Sequence, residues 1–138
     1  MKSFFRTLLL AGALALPATF AHAVSNRYYQ VVDGNLGVYL EVMPETAPRP
    51  EKQYRILVAL FDRAAGTRIE DADVTAAVSG NGLAEVRKKL ELTVTTSSVT
   101  YSSRFDLPRP GFYRVRLIVN HAGGRRTISL PFEVERPS

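Results

Sequence analysis

Two histidines, two methionines and no cysteine are the whole supply of imidazole bases and soft metal ligands in this chain. Met1 and His22 fall in a stretch that reads as a cleavable leader, which leaves Met43 and His121 for the mature protein. Nucleophilic catalysis of the serine or cysteine type needs an imidazole held against a hydroxyl or thiol. His121 instead sits in the glycine-rich stretch Asn120-His121-Ala122-Gly123-Gly124, which predicts an exposed hairpin-tip histidine. A soft-metal site needs three or four converging ligands, and one thioether with one imidazole makes two at most, so Met43 reads as edge packing. Glu70, Asp71 and Asp73 crowd three carboxylates into four residues, as the start of a calcium loop would. No glycine-spaced ligand loop follows them, and charges at a strand entrance also discourage edge pairing. The expectation is no catalytic residue, no metal site and no cofactor.

The other polar groups with chemical reach are basic. Arg87-Lys88-Lys89 forms a run, Arg125-Arg126 a pair, and Arg114 and Arg116 share one face of a strand by alternation. Guanidinium forks bind carboxylate or phosphate through two oxygens at once, so a face carrying these residues would suit an acidic partner. The chain carries a net charge of +5, of which Lys2 and Arg6 of the leader supply two, leaving about +3. That surplus is ordinary solvation, and without a basic block interleaved with aromatics it does not point to nucleic acid.

These residues are positioned by β structure. Leu107-Pro108-Arg109-Pro110-Gly111 sets a rigid corner ahead of a strand whose apolar residues recur every second position at Tyr113, Val115, Leu117 and Val119. A tyrosine beside such a corner, two residues before a core position, matches the tyrosine corner of immunoglobulin-like sandwiches, which gives Tyr113, Gly111 and Pro110 structural roles. Before it, Tyr28 to Val32 and Leu36 to Met43 flank a turn at Asp33-Gly34-Asn35. Three prolines between Pro44 and Pro50 predict a crossing between sheets or a bulged edge. Tyr54 to Phe61 is apolar on both faces after Arg55 and reads as a central strand. Val74, Ala76 and Val78 alternate up to Gly80-Asn81-Gly82, and alternation resumes through Val86, Lys88, Leu90, Leu92 and Val94, predicting one strand rather than a helix. Val99, Tyr101 and Phe105 mark the inward face of the next strand, and Ile128, Leu130, Phe132 and Val134 that of the last. About seven or eight antiparallel strands with no helix predict a single all-β domain, an immunoglobulin-like β-sandwich. With no tryptophan and no cysteine the antibody type is excluded, and stability has to come from packing.

The N-terminus has Lys2 and Arg6, the apolar run Thr7 to Leu16, and the small-residue close Ala21-His22-Ala23. This is the pattern of a secretory signal peptide over residues 1–23, with the domain over 24–138 and cleavage after Ala23. The apolar run is too short for a membrane span of about 20 residues. No transmembrane segment is expected, and the product should be exported.

Three pieces of this chain resemble the small exported sandwich domains called YtkA-like and, more loosely, FixH-like and copper-resistance domains. They are Ile56 to Asp62 before its glycine turn, Asp71-Ala72-Asp73-Val74, and Pro110-Gly111-Phe112-Tyr113-Arg114-Val115. The resemblance implies a sandwich fold, a periplasmic location and, in many relatives, methionine or histidine clusters that meet copper, which are missing here. The residues and the resemblance together predict an exported, non-enzymatic binding or accessory module with an envelope protein as partner. Periplasmic copper handling or respiratory-complex assembly is one alternative, and a surface-assembly subunit completed by strand exchange is another.

Overall fold

Each stretch with period-2 alternation becomes a strand, and the side chains that alternation sends inward meet between two antiparallel sheets. The computed structural model describes residues 27–45 and 53–135. The leader and most of the proline-rich stretch lie outside them. Among the described residues ten strands run in the order β1(Arg27–Asp33), β2(Leu36–Pro44), β3(Gln53–Asp62), β4(Thr67–Arg68), β5(Asp73–Gly80), β6(Leu83–Lys89), β7(Glu91–Val94), β8(Val99–Asp106), β9(Gly111–His121) and β10(Gly124–Val134). One sheet, A, has the order β1-β2-β3-β8-β7 with β4 on β3, and the other, B, has the order β10-β9-β5-β6. The chain is a single all-β sandwich of the immunoglobulin-like kind.

The core lies between the sheets. Val38, Leu40 and Val42 of β2 and Ile56, Val58 and Leu60 of β3 face Val74, Ala76 and Val78 of β5 and Val115, Leu117 and Val119 of β9. At about 25 cal/mol per Å² of apolar surface, each such side chain contributes on the order of 1.5 to 3 kcal/mol relative to exposure. Two tyrosine hydroxyls tie loops to this core. Tyr113 Oη donates to the Arg109 carbonyl at 2.7 Å and accepts from the Arg109 N–H at 3.2 Å, which holds the corner ahead of β9. Tyr101 Oη donates to the Ile69 carbonyl at 3.0 Å and accepts from the Ala72 N–H at 3.2 Å, fixing the entry to β5.

The corner is braced from the neighbouring hairpin. Asn81 and Gly82 adopt φ of 52° and 84°, a primed two-residue turn, and Asn81 Nδ2 donates to the Pro110 carbonyl at 2.6 Å. Gly80 lies so close that a Cβ there would meet Tyr113 Cα at 3.1 Å. Ala122 and Gly123 make the β9–β10 turn in the same way, with φ of 53° and 77°.

Four sequence expectations change. The predicted strand through Val86 to Val94 divides, because β6 pairs β5 in sheet B while β7 pairs β8 in sheet A, and Leu90 is the buried pivot with its N–H on the Val74 carbonyl at 2.8 Å. That division and the two-residue β4 raise the strand number from seven or eight to ten. The proline-rich stretch does not carry the chain between sheets, since Pro44 pairs with Tyr54 and β2 and β3 are neighbours in sheet A. β3 is central, yet its outward side is not covered by another layer: Leu57, Ala59 and Phe61 are half-buried on the outer face of sheet A.

Candidate functional site

Alternation along β9 turns Val115 and Leu117 into the core, so Arg114 and Arg116 stand on the outer face of sheet B. Register assembles the neighbours. Ala77 of β5 lies opposite Arg116 on one side and Arg87 of β6 on the other, so Arg87, Ala77, Arg116 and Ser129 form one cross-strand row. Arg114 lies in the row of Pro131 and Ser79, and Arg125 in the row of Asn120 and Asp73. Arg114 and Arg116 are about 7 Å apart along the strand, and Arg116 and Arg87 about 10 Å apart across two strand spacings.

Two of these cations are neutralised in place: Arg116 Nη2 meets Glu85 Oε2 at 2.8 Å, and Lys89 Nζ meets Asp73 Oδ1 at 3.2 Å. Both pairs are well exposed and contribute little to stability. Arg87, Arg114 and Arg125 have no ion-pair partner among the described residues, so the face offers three uncommitted guanidinium groups. Lys88 and Arg126 do not join it. Lys88 pairs with the inward Ala76, and its ammonium donates to the Arg104 carbonyl at 2.6 Å and lies 5.2 Å from the Phe105 ring centre, closing the open side of the sandwich. Arg126 crosses to the β1–β2 turn, donating to the Asp33 carbonyl at 2.6 Å and pairing with its carboxylate at 3.3 Å. Adjacent basic residues on a strand point to opposite faces, so neither tandem could contribute as a block.

The acidic stretch is dispersed in the same manner. Asp73 takes Lys89, while Asp71 Oδ1 lies 3.0 Å from His121 Nε2. His121 is therefore not the exposed tip residue predicted from its glycines. It ends β9 ahead of the Ala122-Gly123 turn, and its side chain is only 29% exposed. Met43 is far from it. His121 lies at the end of the molecule where Arg126 meets Asp33, and seven residue steps along β2 separate Leu36 at that end from Met43, roughly 23 Å of extended chain. No group of three or more histidine, cysteine, aspartate or glutamate residues is placed to hold a metal ion among the described residues. At the β6–β7 crossing a shallow, open depression of about 460 Å³ is lined by Ala72, Lys89, Leu90, Leu92 and Tyr101. Burial pushes the Tyr101 hydroxyl above the usual tyrosine range, which keeps it protonated for its two backbone bonds.

The outer face of sheet A holds what the sequence reading did not single out. Tyr28 is 74% exposed, and Tyr39 packs edge-on against Phe61 with ring centres 5.3 Å apart. The continuous apolar run of β3 was the available signal, because a strand with only one covered face normally alternates.

No family model matches this chain, and no curated protein matches it. Among solved structures it is similar to a DUF4426 family protein from Pseudomonas aeruginosa PAO1, with a TM-score of 0.67 at 15% identity over 80% of this chain and 97% of that one. It is similar also to a copper-bound variant of FetP from uropathogenic Escherichia coli strain F11, with a TM-score of 0.66 at 8% identity over 79% and 97%. The copper-reconstituted P19 protein from Campylobacter jejuni gives a TM-score of 0.63 at 8% identity over 79% and 96%. At such identities the likeness establishes the small β-sandwich fold. These neighbours bear descriptions other than the YtkA-like and FixH-like ones. No helix among the described residues is long and apolar enough to cross a membrane.

Proposed function

We propose that this protein is an exported, non-catalytic, metal-handling accessory module of the bacterial envelope, built on the scaffold that is copper-bound in a FetP variant and copper-reconstituted in P19. The observation that carries this reading is the fold likeness, which spans nearly the whole of the copper-bound FetP variant and of copper-reconstituted P19. The export pattern of residues 1–23 agrees with an envelope location. Copper here is cargo. The residues do not build a closed soft-metal site within one copy of the chain, because Met43 and His121 stand at opposite ends. His121 with Asp71 is the place where an imidazole and a carboxylate meet, and two donors make an open position suited to brief contact. Calorimetric titration of the periplasmic protein with Cu(II) should show binding weaker than micromolar that His121→Ala removes. Binding unchanged in His121→Ala, or no heat in the parent protein, would set the metal-handling reading aside.

A second reading is favoured by the outer face of sheet B, where Arg87, Arg114 and Arg125 stand without ion-pair partners among the described residues. In this reading the module docks an acidic envelope partner, with affinity that falls as salt screens the arginines over a Debye length of about 8 Å at physiological ionic strength.

A further inference from the structure

Among the described residues the two main strand orders end in four edge strands, and three of them are blunted against pairing. β7 is four residues long, β6 carries Glu85, Arg87, Lys88 and Lys89, and β10 contains Pro131, which lacks an N–H, and Arg125 and Arg126. The Glu133 N–H of β10 is also taken up, by Tyr29 Oη at 3.1 Å. β1 differs. It pairs only with β2 among the described residues, it runs for seven residues, and its five central ones, Tyr28-Tyr29-Gln30-Val31-Val32, hold no charge, proline or glycine. Its outward residues Tyr28 and Val32 are 74% and 48% exposed, and they continue across the sheet into Tyr39 and Phe61.

We infer that β1 is the self-association edge of this protein and that its occupant is β1 of a second copy, antiparallel about a two-fold axis at Gln30. Self-complementarity selects this partner. A register centred on Gln30 matches all seven residues, sets Tyr28 of each copy against Val32 of the other on the outer face, and places Arg27 opposite Asp33 at both ends. Residues of opposite charge thus share a register position at both ends, with each Asp33 carboxylate also held by Arg126 of its own chain, whereas a register shifted by two residues in either direction loses one pair at each end. Pairing satisfies the edge N–H and C=O groups, joins the two A sheets into one, and makes the exposed aromatic stripe continuous across the joint. A partner with the same charge at both ends of its strand would meet a like charge at one end.

Sedimentation velocity on the exported protein, purified from the periplasm, tests this from low to high micromolar concentration. A monomer–dimer equilibrium is expected, with β1 amides gaining hydrogen-exchange protection as the dimer fills. Gln30→Lys sets like charges against each other at the two-fold axis and should weaken the dimer roughly tenfold or more. Gln30 is exposed, so the melting midpoint of the variant monomer should not move. Gln30→Asn, which keeps the centre uncharged, should retain the dimer. A protein monomeric throughout the range, or a Gln30→Lys variant that dimerises like the parent, would overturn the inference. This outcome is separate from the copper titration, which reads His121 at the end of β9.

Discussion

At the scale of single residues, hydroxyl and carboxylate groups tie loops to the sheets. Tyr113→Phe removes both partly buried corner bonds to Arg109, of which the 2.7 Å one to the carbonyl is the stronger, and should cost roughly 0.5 to 1.5 kcal/mol in denaturant melts, about the net value of one intramolecular hydrogen bond. Tyr101→Phe should cost more, about 1 to 3 kcal/mol, because its bond to the Ile69 carbonyl is buried and the acceptor left behind is shielded from water, whereas both Tyr113 bonds are only partly buried. Equal shifts in the two variants would show that the Tyr101 contacts are replaced by water. Asp62 carries a pH signature. The Ala65 N–H, and after it the Asn35 amide, hold its carboxyl below the ordinary carboxylate range. A carboxyl whose folded value is depressed stabilises the fold fully above the unfolded value, about 3.9, and loses that contribution as pH falls through the lower folded value. Asp62→Asn should therefore flatten the stability profile below about pH 4, where melts of the parent protein should fall more steeply.

At the scale of elements, the β5–β6 hairpin and the β6–β7 crossing hold the frame. Gly80 adopts a φ of 116°, and a Cβ there would press on Tyr113 Cα at 3.1 Å and the Phe112 carbonyl at 3.3 Å. Both are backbone atoms of a central strand and cannot step aside. Gly80→Ala should therefore cost roughly 1 to 3 kcal/mol of conformational strain, against a few tenths for a surface glycine in open space. Leu90 is the buried pivot on which the chain leaves sheet B for sheet A. Leu90→Ala should cost about 2 to 5 kcal/mol through the lost apolar burial and the cavity left behind. A smaller loss would mean that the crossing collapses around the gap, to be seen as unchanged hydrogen-exchange protection in β7. Alternation continues without interruption across Leu90, so nothing in the local residue pattern marks where the chain changes partner strands.

For the whole molecule, charge is distributed by the pleat rather than by the sequence tandems. Arg114→Ser with Arg116→Ser should reduce capture of acidic envelope partners at low salt, with the melting midpoint nearly unchanged, because both residues face solvent and the Arg116–Glu85 pair is exposed. Equal capture by parent and double variant at low and high salt would show the face to be solvated surface. The sequence alone determined that the chain is an all-β sandwich, because period-2 alternation, a proline-glycine corner and primed-turn dipeptides are local signals that state which side chains go inward. The corner around Tyr113, Pro110 and Gly111 was legible for the same reason. The tertiary structure decided what depends on pairing: that β6 and β7 lie in different sheets, that the proline-rich stretch joins neighbouring strands, and that β3 bares its outer side. It also sorted the candidate residues. Arg87, Lys89, Arg114, Arg116 and Arg125 came to one face, Lys88 and Arg126 went to structural contacts, and His121 met Asp71. Alternation tells which face of a strand a residue occupies, but which strands lie beside it is set by contacts distant in the chain.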